Sequence, residues 1–212
     1  MKQRATIIAL CLAAVAAGCG KSDSGGTTAP PVTELTAAEY LAQGWTSFNA
    51  GGFSAAQTSF GNAIAKDSTL ADAYNGRGWC QGILGSPASA LASFATGATR
   101  TGTAVVLNEI TAGMAFAYSA MDSASKAVTS GSSVLLADND WQFSHTYRAS
   151  QDNVLNYLEV CLLLAQNHFK LGQFTQAEDF VQLLHPGFEV DEATPSGQAA
   201  LQAEIERLAT LF

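Results

Sequence analysis

The sequence is short of positive charge. Lys and Arg number 10 against 18 Asp and Glu in 212 residues, for a net charge of −8. A surface of that sign repels phosphate backbones and anionic lipid head groups, which sets aside nucleic-acid binding and electrostatic docking to membranes. Catalytic signatures are missing too: no Gly-x-Ser-x-Gly, no His-Glu-x-x-His, no Walker loop, no dinucleotide fingerprint. His145, His168 and His185 lack ligand-like spacing, so neither an enzyme, a metal nor a cofactor is expected. Strand-type runs of Val, Ile and Thr are scarce, while Ala and Gly are frequent, which suits closely packed helices. A hydrophobic fraction of 48% with 13% charged residues excludes wholesale disorder.

The N-terminus carries Lys2 and Arg4, then an apolar stretch from Ala5 to Ala17 that ends in Ala16-Ala17-Gly18-Cys19. The stretch is too short for a spanning helix and reads as a secretory signal. A Cys directly after Ala-Ala-Gly resembles the lipobox of bacterial lipoproteins, with Ala16 where that family usually has Leu. The resemblance implies cleavage before Cys19 and lipidation of Cys19, which would fix the protein to a membrane. Gly20 and Lys21 follow, with no Asp after the Cys, and the resemblance then implies the outer membrane, most simply its periplasmic face. Residues 1–18 are expected to leave as the signal, and 19–35 to form a polar tether of Gly, Ser, Thr and Pro. Of the four cysteines only Cys80 and Cys161 then remain; they are expected as buried small hydrophobes, with a disulfide as the alternative in an oxidising compartment.

From residue 36 onward one phrase recurs. Tyr40, Gly44, Ala56 and Phe60 return as Tyr74, Gly78, Ala90 and Phe94, ~34 residues on, the length of a tetratricopeptide helix pair. Thr36 with Glu39, Ser54 with Gln57 and Thr175 with Glu178 have the spacing of capping boxes, and Ser86-Pro87 and Thr194-Pro195 read as helix starts. Asp122 is placed to cap a helix. Breaks are expected at Gly51-Gly52, Gly85 and His185-Pro186-Gly187. Ala124 and Val128 continue the step of ~34 into a third pair. The register is lost over about 130–150 and resumes at Gly172, Phe174 and Ala177, after an insertion of ~19 residues. The pattern resembles the tetratricopeptide family over most of 37–190, although Tyr40 and Tyr74 replace its Trp, and Gln43 and Arg77 its Leu. The expected fold is all-α: a solenoid of stacked antiparallel helix pairs over 36–212, with an irregular insertion and a C-terminal capping helix of about 195–212 that carries Leu201, Ile205, Leu208 and Phe212 on one face.

In that family the first helix of each pair lines the concave face. Position by position, the resemblance places Trp45, Phe48, Asn49, Asp72, Asn75, Trp79, Ile83 and Phe116 there, with Glu109 and Gly113 alongside. Trp45 and Trp79 are expected one above the other. They form either an open groove that grips a peptide through rings and amides or core covered by other parts of the chain. Trp141, Phe143, His145 and Tyr147 of the insertion alternate as a strand would, and are expected as a flap, packed or pointing into the groove. His168 is expected as a satisfied core residue, and Glu204 and Glu206 on the solvent side. The basic clamp that such proteins use for a C-terminal carboxylate is absent.

The resemblances together imply a lipid-anchored envelope protein that holds a protein or peptide partner, similar in layout to outer-membrane assembly lipoproteins and to pilus or secretion pilotins. The alternative is a lipoprotein that binds a small ligand or glycan in an aromatic pocket.

Overall fold

The computed structural model describes residues 34–145 and 154–211. The expected signal segment, Cys19 and the expected tether up to residue 33, as well as Tyr147 and Phe212, lie outside the described residues. A compact unit begins at Leu35, and its described residues form nine α-helices: α1 Ala37–Asn49, α2 Phe53–Lys66, α3 Ala71–Ile83, α4 Pro87–Gly97, α5 Ala104–Ala120, α6 Ala124–Ala137, α7 Tyr157–Lys170, α8 Phe174–Leu184 and α9 Pro195–Leu208. None is long and apolar enough to cross a membrane.

Every hairpin turns in the same way. Gly51, Gly85, Asp122 and Gly172 hold positive φ of 77°, 78°, 54° and 71°. At each turn the next N–H bonds back to a carbonyl five residues earlier: Gly52 to Ser47, Ser86 to Gln81, Ser123 to Tyr118, Gln173 to His168, all at 2.8–2.9 Å. This is a Schellman exit, which satisfies the last carbonyls of one helix. The residue that closes it also opens the next helix. Two expected capping boxes therefore do not form. Ser54 and Thr175 already lie inside their helices, because the turn ends two residues before each of them. Asp122 is the left-handed turn residue itself, and Ser123 takes the cap position. Thr36 and Glu39 do form the expected box, and Thr194 caps α9 ahead of Pro195.

The turn residues fix the repeat register. From each of them Ala56, Ala90, Ala127 and Ala177 follow at the same distance, and all four are fully buried. Ala127 and Gly131, not Ala124 and Val128, therefore stand where Ala90 and Phe94 do. The shift comes from α5, which has 17 residues against 13 in α3 and so delays the third turn. Helix also continues through Ser130 to Ala137, where an irregular segment was expected. Ala127, Gly131 and Val134 give α6 a buried stripe, and that tertiary packing overrides the weak helix preference of its Ser and Gly.

Consecutive helices pack in order, and α1, α3, α5, α7 and α9 also touch in series, whereas α2, α4, α6 and α8 do not touch one another. The odd helices thus form the inner layer of a curved stack. Phe60 of α2 reaches between Gly44 of α1 and Gly76 of α3, and Phe94 of α4 between Gly78 of α3 and Gly113 of α5. α9 seals the end, with Leu201, Ile205 and Leu208 against Leu162, Ala165, Ala177 and Val181.

Candidate functional site

The inner face of the first three pairs is covered by the chain itself. After a turn at Asn139 and Asp140 the backbone pairs antiparallel at Gln142 and Asn156: Phe143 N–H donates to Leu155 O while Tyr157 N–H donates to Trp141 O, each at 2.8 Å. The paired segment, about Trp141 to His145 with Leu155, lies as a strap on the odd helices. Trp141 and Phe143 are buried in the same core as Trp45, Phe48 and Trp79. The two tryptophans do not stack on each other. Phe143 joins them, its ring 6.3 Å from Trp45 and 4.8 Å from Trp79. His145 lies flat on Trp45 at 3.5 Å.

Polar groups beneath the strap are tied together. Trp45 Nε1 donates to Asp72 Oδ2 at 3.1 Å. Asn75 Nδ2 donates to Glu109 Oε2 at 2.7 Å, and the main-chain N–H of Ser144 donates to Glu109 Oε1 at 2.8 Å. Glu109 is 1% exposed. Burial pushes its carboxyl upward, aided by the nearby Asp72 carboxyl and opposed by the bonds from Ser144 and Asn75. Burial likewise raises Asp72, and lowers the His145 imidazole to about 4. The site can hold an extended main chain through a carboxylate, and aromatic side chains between rings.

Of the residues expected on the groove, Trp45, Phe48, Asn75 and Trp79 are buried. Phe48 is edge-on to Phe53 of α2 and to Phe143. Asp72, Ile83 and Phe116 are half-buried and Asn49 is exposed. Counting from the turns, Phe116, and not Gly113, is the counterpart of Trp45 and Trp79. His168 is buried, its Nδ1 paired with Gln173 Oε1 at 2.7 Å. Glu204 is not freely solvated: it meets Arg207 and His185. Cys80 and Cys161 are free and buried, and burial raises their thiols to about 12 and 11. Among the described residues no group of acids, His and Cys could hold a metal.

Two residues of the site, Ser144 and Leu155, were not expected. Ser144 meets Glu109 through its side chain and its main-chain N–H, a contact across 35 residues of sequence that no local pattern marks, and Leu155 sits beyond the break in register. Glu109 was expected on the face, but not as the anchor of the strap.

Among solved structures, PilF of Pseudomonas aeruginosa superposes with a TM-score of 0.58 at 15% identity, over 84% of this chain and 69% of its own. A tetratricopeptide repeat protein from Parabacteroides merdae gives 0.54 at 13% identity, over 82% and 60%. The fold is tetratricopeptide-like. MamA, at 0.58 and 13% over 82% and 88%, has the same tetratricopeptide-like stack. Neither a protein-family model nor a curated protein sequence matches the chain. Beyond the strap the inner side of the stack stays open between α7 and α9, where Gln166, Phe169, Lys170, Gln202, Ile205 and Glu206 border a groove of about 630 Å³. By the turn register Gln166, Phe169 and Lys170 are the counterparts of Trp45, Phe48 and Asn49.

Proposed function

We propose that the protein is an interaction scaffold of the cell envelope, anchored by lipid on Cys19 and engaging a protein segment on the inner face of its helical stack. One observation carries this reading: the face already holds an extended piece of polypeptide. Glu109 takes the Ser144 main-chain N–H, and Phe143 sits between Trp45 and Trp79, which is how an extended peptide is gripped by backbone hydrogen bonds and side-chain pockets. With the strap over α1 and α3, a partner engages the inner face from the edge of the strap onward, towards α7 and α9. The lipobox-like Ala16-Ala17-Gly18-Cys19 supports attachment at the periplasmic face of the outer membrane, and the fold gives no reason to expect enzymatic activity.

The test places a photo-crosslinking residue at Gln166 or Gln202 of the full chain in cells, with Leu136, 90% exposed, as the control position. A discrete adduct from the inner positions and not from Leu136 supports the reading. The same pattern from all three positions, or none, overturns it. Cys19→Ser is expected to move the protein from the membrane to the soluble fraction and to remove an acyl mass from the mature N-terminus; an unchanged membrane fraction would sink the anchor.

A further inference from the structure

One inner position is filled in the first repeat and empty in the second. Counted from Gly51 and Gly85, Phe48 of α1 and Gly82 of α3 are equivalent, as are Phe53 of α2 and Pro87 of α4. In the first repeat the place is full: Phe48 is completely buried and meets Phe53 at 5.2 Å and Trp45 at 5.4 Å, both edge-on. In the second it is vacant. A Cβ on Gly82 would meet only Ala90 Cβ, at 3.8 Å. What remains is an apolar cavity of about 310 Å³, walled by Trp79, Pro87, Phe94, Phe116 and Leu155 with Gly82 at its edge.

Three features give the cavity its chemistry. Its aromatic walls favour a ring that meets them edge-on or offset. An apolar cavity of roughly 150 Å³ is enough to bind benzene, so this one admits a ring and the atoms attached to it. Trp79, only 5% exposed, also has an Nε1 with no hydrogen-bond partner among the described residues, an unused donor on a residue that walls the cavity. The cavity is reachable, because Gly82, Gly85 and Ala120 on its border are exposed. It also adjoins the strap: the Trp79 ring that forms one wall carries Phe143 at 4.8 Å, and Leu155 forms another.

We propose that this cavity receives an aromatic side chain, a phenyl ring above all, from the protein segment the scaffold holds, in the place that Phe48 fills in the preceding repeat. The proposal rests on the scaffold reading for the source of the ring, and on the cavity alone for the site. Phe143 shows the same use of the face by the chain itself.

The experiment measures thermal unfolding of the full chain with toluene and, separately, with N-acetyl-phenylalaninamide. Both are expected to raise Tm in a saturable manner. Gly82→Phe supplies the ring from within and is expected to abolish both responses; Gly82→Leu serves the same purpose should the larger side chain prevent folding. No shift from either compound, or an undiminished shift in the Gly82 variants, overturns the site. A shift from toluene alone overturns the protein segment as the source and leaves a free aromatic compound as the occupant. These shifts do not depend on the cross-linking result, so the two readings fail separately.

Discussion

His145 lies parallel to Trp45, with planes 4° apart and ring centroids 3.5 Å apart, and this stack ties the strap to the first helix. Burial favours the neutral imidazole, taking it from its ordinary 6.5 to about 4. Between those values the unfolded chain binds the proton and the folded chain does not, so stability is lost as pH falls from about 6.5 to about 4. Denaturant midpoints followed by tryptophan fluorescence are expected to drop over that window, and His145→Phe, which keeps a ring on Trp45, is expected to flatten the drop. An equally steep decline in the variant would remove His145 as its cause.

Glu109 holds the strap from the other side. Its two oxygens accept from Asn75 and from the Ser144 main chain. Glu109→Ala strands the buried Asn75 amide, at about 1–3 kcal/mol, and at a smaller cost the part-buried Ser144 N–H. Glu109→Gln keeps an acceptor and is expected to cost less. Because burial raises the folded carboxyl, the folded state holds its proton to higher pH than the unfolded one. Stability therefore falls as pH rises from the ordinary carboxylate value of 4.5 through the raised one. Equilibrium unfolding of Glu109→Gln in a His145→Phe background is expected to lose that upper slope.

The helical pairs could be read from the chain because their determinants are local: small residues where helices meet, Gly where the turn needs positive φ, and Thr36 with Glu39 at the first cap. The third pair could not be registered, since the extra length of α5 is invisible among Ala and Val residues that suit any helical position. The strap was visible as alternating aromatics, Trp141, Phe143 and His145, yet its destination depended on Glu109 catching a main-chain N–H, a contact between distant parts of the sequence. Trp45 and Trp79 illustrate the same limit. Aromatic rings at inner positions look alike whether open or covered, and burial here makes them core. Trp45→Ala or Trp79→Ala is thus a stability test costing about 3–5 kcal/mol, and not a clean test of partner capture.

Asp122 occupies the one hairpin turn without Gly, at φ 54°. A side chain in this left-handed region carries strain that Gly avoids. Asp122→Gly also gives up the pair with Lys170 at 2.9 Å, in which both side chains are exposed, and such pairs contribute ~0–1 kcal/mol. Strain relief and the lost pair partly offset, and a gain of about 0.5 kcal/mol is expected in chemical denaturation. Asp122→Ala keeps the strained backbone, loses the pair, and is expected to destabilise.

Phe60 offers the sharpest test of how the stack is held together. A Cβ on Gly44 would come within 2.5 Å of its ring, and one on Gly76 would overlap it from the other side. Gly→Ala within a helix by itself stabilises by ~1 kcal/mol, so a pair of helices with room to spare would gain from either change. Forcing a methyl into a filled core instead costs typically ~1–3 kcal/mol. Phe60 is fully buried and has no free side to turn to, so the overlap term prevails. Gly44→Ala and Gly76→Ala are each expected to lower stability, by up to about 2 kcal/mol net, while Gly61→Ala on the same helix as Phe60, with nothing within 4 Å of its Cβ, is expected to raise it. Denaturation of the three variants side by side separates close packing from helix preference. A gain at Gly44 or Gly76 would mean that the repeats are joined more loosely than Phe60 implies.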